Sequence, residues 1–346
     1  MGININYNIN YNGKKHFLDL ATRIGIDLGT NSILLYVKGK GIVLKEPSVV
    51  AIDKSKGGRV LAVGEKAKEM IGRTPSHIVA ERPIREGVIA NYEAAEAMLK
   101  YYINLIRNSS LINRIFKPIV AVCIPAEYNS VEERVIKEAA YAAGAKEVYI
   151  IEEPMAAAIG AGLKVNSARG NMVVDIGGGT TDIAVISLGG IIVKQTLKVA
   201  GDKMDEAIAK YIRKNYNLLI GEQTAEKIKI NIGTIIPLEQ ELSMEVRGRD
   251  LFTGLPKIIN ITSSEVAEAL WEPVSAIVDT VKSVLEVTPP ELAADIIEEG
   301  ITLTGGGALL RGLDKVISKA TGIKVNIPED PISCVALGTG KYAEAL

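Results

Sequence analysis

Two short stretches of the chain share one pattern: an apolar run ends in aspartate, an apolar residue follows, then glycine and threonine, and the chain returns as a second strand. The first runs from Arg23 to Asp27, turns through Leu28-Gly29-Thr30-Asn31 and returns as Ser32 to Val37. The second runs Met172-Val173-Val174-Asp175, turns through Ile176-Gly177-Gly178-Gly179-Thr180 and returns as Thr181 to Leu188. Glycine directly after a strand lets backbone N–H groups approach an anion that a side chain would hold off. Two such turns can clasp one polyphosphate if the chain folds as two related halves facing a shared cleft. Each motif alone is also the signature of an ordinary Asp-x-Gly turn; two copies in the right order favour the functional reading.

At 346 residues the chain is long enough for two lobes, each burying its own core. A formal net charge of −1 argues against the broad basic footprint of a nucleic-acid binder, so no nucleic acid is expected as a partner. Cys123 and Cys334 each sit in an apolar stretch, which points to neither a disulfide framework nor a thiolate metal site and fits a reducing cytoplasm. With His16 and His77 the only histidines, a histidine metal site or a Ser-His-Asp hydrolase is poorly supported. The chemistry must rest on carboxylates and backbone. No apolar run reaches the roughly 18 to 20 residues that span a bilayer, and the first residues lack a signal-peptide core, so neither membrane crossing nor export is expected.

Strands are expected at 119–124 and 148–151, between and after helices at 93–107 and 130–143, which makes an α/β core. A second meander continues through Ile191 to Val199, and the segment from Asp202 to about Val266 reads as more helical and charged, a subdomain inserted in the second lobe. A helix over 264–286, a strand over 301–304 and a helix over 314–321 follow. The opening residues 3–12 alternate apolar and polar with period two, either a strand or a low-complexity tail.

In this reading Gly29, Thr30, Asn31 and Ser32 form one phosphate turn, and Gly177, Gly178, Gly179 and Thr180 the other. Asp27 and Asp175 stand at the strand ends beneath the phosphates, where carboxylates commonly hold the waters of magnesium rather than the metal itself. A third cluster, Thr304-Gly305-Gly306-Gly307-Ala308 followed by Leu309, places a turn after a strand where it can face the α-phosphate and adenosine. Neither the Walker pattern nor the dinucleotide fingerprint G-x-G-x-x-G is present at the first strand turn. In Ile151-Glu152-Glu153-Pro154, the proline suits the first helical turn and leaves a carboxylate at a strand-to-helix junction, either a helix cap or a reactive group. Glu226 and Lys229, at i and i+3 of a helix beginning near Gly221, share a face as an ion pair or as ligands; Gly201 and Asp202 are placed near the same mouth.

Taken in order, these motifs resemble the superfamily of actin, sugar kinases and large heat-shock chaperones. The resemblance narrows to the MreB family of bacterial cell-shape proteins through Gly39-Lys40-Gly41-Ile42-Val43-Leu44-Lys45-Glu46-Pro47-Ser48, Gly72-Arg73-Thr74-Pro75, Thr288-Pro289-Pro290-Glu291-Leu292 and Asp330-Pro331-Ile332-Ser333-Cys334-Val335-Ala336. It covers nearly every segment from about residue 24 onward. It implies an α/β, actin-like (ribonuclease H-like) two-lobed fold, with duplicated mixed β-sheet cores flanked by helices and a nucleotide cleft between the lobes. It also implies an N-terminal extension at 1–23, a first lobe at 24–166 with a small subdomain at about 51–83 and the C-terminal helix 336–346, and a second lobe at 167–335 with an insertion at about 202–266. ATP and Mg2+ are the implied cofactors, and the activity is ATP hydrolysis. The family's second glutamate of the Glu-Glu-Pro motif positions the attacking water, a role that falls on Glu153, with Asp175 as the other catalytic candidate. Glu226 and Lys229 fall where the family's Glu-x-x-Lys pair faces ribose and adenine.

The resemblance further implies self-assembly into head-to-tail filaments, paired as antiparallel protofilaments, that guide the cell-wall elongation machinery and maintain rod shape. Localisation is expected in the cytoplasm, peripheral on the inner face of the cell membrane. Leu111, Ile112, Ile115 and Phe116, beside Arg114 and Lys117, match the position of the family's membrane loop. A metabolic kinase of the same superfamily would share the cleft but need an acceptor pocket, and a plasmid-segregating filament is the nearer alternative.

Overall fold

The first apolar run forms β1 (Arg23–Leu28), which turns back as β2 (Ser32–Val37) and again as β3 (Gly41–Pro47), both pairings antiparallel. The chain then builds a separate three-stranded sheet from β4 (Val50–Asp53), β5 (Arg59–Val63) and β6 (Ile78–Glu81), with the short α1 (Glu65–Lys68) against it. A two-stranded hairpin, β7 (Ile84–Arg85) and β8 (Val88–Ile89), leads into α2 (Tyr92–Asn108). Asn91 caps α2 by accepting the Ala94 N–H, and Ala94, Ala95, Met98, Leu99, Tyr102, Ile103 and Ile106 recur on one face at helical spacing, so that face is buried. β9 (Ile119–Ile124), α3 (Ser130–Ala142) and β10 (Glu147–Glu152) complete the half. The structure is a computed structural model and describes residues 21–109, 114–126 and 128–346. The alternating segment 3–12 and two of the proposed membrane residues, Leu111 and Ile112, lie outside the described residues.

β10 leads directly into α4 (Glu153–Gly160), and the second half repeats the first. β11 (Asn171–Ile176), β12 (Thr181–Ser187) and β13 (Gly190–Leu197) form an antiparallel meander. They are followed by α5 (Gly201–Tyr216), β14 (Leu218–Leu219), α6 (Glu222–Ile232), β15 (Ser243–Asp250) and β16 (Pro256–Thr262). The long α7 (Ser263–Glu286), α8 (Pro290–Glu299), β17 (Ile301–Thr304), α9 (Leu313–Thr321), β18 (Val325–Asn326) and α10 (Cys334–Ala345) close the chain.

The two main sheets have the same plan. One runs β10-β9-β1-β2-β3 and the other β18-β17-β11-β12-β13; in each, the central strand pairs antiparallel on one side and parallel on the other. β1 and β11 are almost continuously buried because both faces are covered, as parallel pairing with crossover helices requires. One core packs β1, β2 and β9 against α2 and α3; another packs β11 and β12 against α5, α7 and α9. A third lies between the sheets, where α4 meets α10 and Val173, Ala184 and Ile186 of the second sheet. α10 returns to the first half and packs on β1 so closely that a Cβ on Gly25 would lie 2.6 Å from the Gly340 nitrogen.

One segment departs from the sequence reading. Residues 202–266 contain a three-stranded sheet, β14-β15-β16, beside two helices. Along β15, Val246 faces the core while Glu245, Arg247 and Arg249 face solvent. The strand is half-buried and alternates, but its density of charge reads as a solvated helix face. α8 was likewise not foreseen.

Candidate functional site

The site grows out of the central strand ends. β1 ends its acidic residue at Asp27 and β11 at Asp175, and each strand then enters a glycine turn closed by the same bond: Gly29 N–H to Ser32 O at 3.1 Å, Gly177 N–H to Thr180 O at 2.9 Å. The turns face each other. A Cβ on Gly178 would lie 2.4 Å from the Asn31 side chain, and one on Gly179 would lie 2.7 Å from Thr30 Oγ1 and 2.8 Å from the Glu86 nitrogen. Any larger residue at either position would wedge the halves apart. The Asn31 amide spans the gap and donates to Asp202 Oδ1 at 2.8 Å.

Beneath the turns lies a cavity of about 720 Å³. Of the residues singled out in the sequence, Asp27, Gly29, Thr30, Asn31, Ser32, Glu153, Asp175, Gly177, Gly178, Gly179, Thr180, Gly201, Glu226, Lys229, Gly305, Gly306, Gly307 and Leu309 all line it. Two do not: Ala308 is buried behind the 3-10 turn Gly306–Leu309, and Asp202 sits at the rim, bonded to Asn31. Lys45, Glu46, Lys68 and Arg311 also line the cavity and carried no role in the sequence reading.

The floor is acidic and its carboxyls are buried. Burial, then the charge of Asp175, pushes Asp27 up to about 8. Burial pushes Asp175 up to about 7, opposed by the hydrogen bond it accepts from Thr304 Oγ1 at 2.8 Å. Glu153 opens α4 behind Pro154 and is raised well above the ordinary carboxylate range, first by burial, then by Asp182, Asp175 and Asp27. Asp182, a member of this cluster, went unremarked in the sequence, although it lies just beyond Thr180 in the second motif.

Glu226 and Lys229 do not pair with each other. Lys229 Nζ donates to Asp205 Oδ2 at 2.9 Å and to the Gly201 carbonyl at 2.8 Å, while Glu226 lies 3.8 Å from Lys68 of the opposite half. Asp205, largely buried on α5, was missed because its partner sits on another helix and no local spacing joins them. Burial raises Asp205 to about 6 even against the pull of Lys229.

Among the described residues, no three His, Cys, Asp or Glu side chains are arranged to hold a metal directly. The donor set suits a hydrated cation instead: Asp27 and Asp175 are buried carboxylates, kept above their ordinary range by the missing solvent, at the foot of two amide-rich turns. Together the floor and turns can hold a polyanion that brings its own divalent cation.

Two sheets of one plan, joined through α4 and α10 and enclosing such a cleft, make this an actin-like fold. The chain belongs to the MreB/Mbl protein family, which matches residues 21–346. It is 55% identical over 320 residues to the cell shape-determining protein Mbl of Bacillus subtilis (strain 168), covering 92% of this chain and 95% of that one. To the cell shape-determining protein MreB of Escherichia coli (strain K12) it is 52% identical over 326 residues, 93% of each chain. The crystal structure of MreB5 of Spiroplasma citri bound to ADP superposes with a TM-score of 0.88 at 40% identity, covering 94% of this chain and 96% of that one. The same protein bound to AMPPNP gives a TM-score of 0.87. A MamK double helical filament subunit, at 22% identity and a TM-score of 0.77, shares the fold.

Proposed function

We propose that the chain binds Mg-ATP in this cavity, hydrolyses it, and assembles into filaments that maintain rod cell shape by organising cell-wall synthesis at the inner face of the cytoplasmic membrane. The observation that carries this reading is the contact of two glycine turns from separate sheets above buried Asp27, Glu153 and Asp175. Family membership and the nucleotides named for MreB5 support it.

Hydrogen bonds within the protein already occupy the carbonyls of Gly29, Asn31, Gly177 and Gly178. The turn amides not used in closing the turns are therefore the donors offered to phosphate oxygens. Lys229 fixes the Gly201 carbonyl, and Gly201 and Asp202 in turn hold the second turn through their N–H groups, so the phosphate cradle is braced from α5. Asp27 and Asp175 would hold the waters of a bound magnesium ion, which would supply positive charge to offset that of the phosphates. Glu153 orients a water for in-line attack on the γ-phosphorus; the bond to the bridging oxygen breaks, ADP leaves, and the water's proton goes to the released phosphate.

The test is phosphate release by the purified chain with ATP, magnesium and lipid vesicles, alongside sedimentation. Glu153→Ala should lower turnover by about 100-fold while leaving nucleotide affinity within a few-fold. Unchanged turnover rejects the assignment, and transfer to an acceptor hydroxyl without sedimenting polymer would favour a kinase.

A further inference from the structure

Two elements beside the second glycine turn give the cavity an apolar wall. One is α6, through Ile230; the other is the 3-10 turn Gly306–Leu309, through Leu309, and these side chains are 64% and 57% exposed. Both elements are tied to the glycine turn. Lys229 of α6 donates to the Gly201 carbonyl, and the Gly201 N–H donates to the Gly177 carbonyl at 3.1 Å. The 3-10 turn packs so tightly on the residue before Gly177 that a Cβ on Gly307 would lie 2.1 Å from Ile176 Cγ2. With phosphates at the glycine turns, the part of the cavity bounded by α6 and the 3-10 turn is what remains for a nucleoside, and apolar faces there suit a flat base.

Arg311, just after the 3-10 turn, fixes how these two elements sit against each other. A helix leaves its last carbonyls without partners inside the helix. The cation in the last turn of α6 is Lys229, but its ammonium is engaged by Gly201 and Asp205. Arg311 closes the helix end instead: Nη1 donates to the Gly233 carbonyl at 2.9 Å and Nη2 to the Asn231 carbonyl at 3.1 Å, two prongs of one planar guanidinium. The backbone repeats the connection. The Ile235 N–H donates to the Arg311 carbonyl at 3.0 Å, Thr234 Oγ1 lies 3.4 Å from the same oxygen, and Thr234 pairs with Arg311 as an isolated parallel bridge. Thr234 is buried and also donates to the Ile236 carbonyl at 2.8 Å, while a Cβ on Gly312 would lie 2.5 Å from Ile236 Cγ1. Residues 233–236 and 311–312 therefore form one joint.

We infer that Arg311 is a positioning residue for the nucleoside: it staples the end of α6 to the 3-10 turn and so sets the width of the slot that receives the base. This rests on the nucleotide reading of the cavity but not on the hydrolytic role of Glu153. The phosphates are held by other elements, the turns at Gly29 and Gly177, so loosening the joint weakens the hold on the nucleoside and leaves the phosphate end in place.

Full-length protein is titrated with Mg-ATP, with magnesium tripolyphosphate, which lacks the nucleoside, as a competitor, and phosphate release is followed in parallel. Arg311→Met should raise the Kd for ATP about tenfold and leave that for tripolyphosphate within about twofold. It should raise KM likewise with kcat changed less than about twofold, the pattern of lost uniform binding. Thr234→Val, at a residue outside the cavity lining, loosens the same joint without removing a charge and should raise the ATP Kd about threefold, again sparing tripolyphosphate. Equal losses for ATP and tripolyphosphate would make Arg311 a charge acting on the phosphates and overturn the inference. An unchanged ATP Kd in either variant, or a fall in kcat with KM unmoved, overturns it as well. If Thr234→Val does not fold, Arg311→Met decides alone. A parent chain that binds neither ligand fails the nucleotide reading itself.

Discussion

Asp27 and Asp175 show what a single buried carboxyl does to the free protein. Folding raises them to about 8 and about 7 from an ordinary 3.8, so the folded chain holds protons that the unfolded chain releases. Stability without ligand therefore falls as pH rises from about 4 to about 8, the reverse of a salt-bridged carboxylate. Asp27→Asn should flatten that slope and gain about 1–2 kcal/mol at pH 8, while weakening nucleotide binding; a midpoint-against-pH series by calorimetry, without nucleotide, reads it. A steep fall that persists in the variant would place the effect elsewhere. Asp205 is raised in the same direction, to about 6, although it is paired with Lys229, the two side chains being only 11% and 17% exposed. Lys229→Met leaves the Asp205 carboxyl buried without its cation and should cost about 3 kcal/mol in urea unfolding, with Asp205→Asn added to Lys229→Met restoring much of it. If the double variant is no better than the single, the cost lies in the lost bond from Lys229 to the Gly201 carbonyl.

At the scale of elements, the contact of α4 with α10 depends on two glycines. A Cβ on Gly160 would lie 1.8 Å from the Cys334 carbonyl oxygen, and one on Gly338 would lie 1.8 Å from the Ala156 carbonyl oxygen. The helices touch backbone to backbone, so Gly338→Ala must push them apart and should cost about 3 kcal/mol or more, well beyond a surface Gly→Ala change. Denaturant unfolding of Gly338→Ala beside Gly322→Ala, where φ is +73° but nothing lies near the added methyl, separates packing from backbone strain. The elements also show what could be read from sequence. β9 is legible because full burial on both faces writes an unbroken apolar run, and the paired Asp-x-Gly turns because glycine is tied to close approach. β15 was not, because Glu245, Arg247 and Arg249 dominate its exposed face and its apolar face is only a few residues long. Glu226 and Lys229 share a helix face, but the partners they find lie on other elements, which their spacing does not show.

Across the whole molecule, the halves meet above the cavity through polar contacts: Asn31 with Asp202, Arg82 within 3.9 Å of Asp202 and of Glu222, and Lys203 with Glu86 at 3.3 Å. Partly exposed pairs of this kind contribute little and weaken in salt, so a ligand bound between the halves should matter more than they do. ATP and magnesium at about 100 times the dissociation constant should add about 2.7 kcal/mol, a rise of about 5 °C in the melting midpoint, and chelating the metal should remove most of it. The proposed membrane contact lies far along the chain from these residues, after α2. There Ile115 is 73% exposed and Phe116 39% exposed, adjacent to each other and flanked by Arg114 and Lys117. No helix among the described residues is long and apolar enough to cross a bilayer. The proposed attachment is interfacial, with apolar side chains entering the acyl boundary while cations meet anionic head groups. Each buried side chain is worth about 1.5–3 kcal/mol, so Ile115→Ser with Phe116→Ser should weaken vesicle binding by about 100-fold or more per subunit. In a filament those losses multiply along the polymer, so the variant should still sediment with ATP alone yet fail to float with anionic vesicles. Flotation equal to the parent chain would remove this segment from the membrane contact while leaving the cleft and its chemistry untouched.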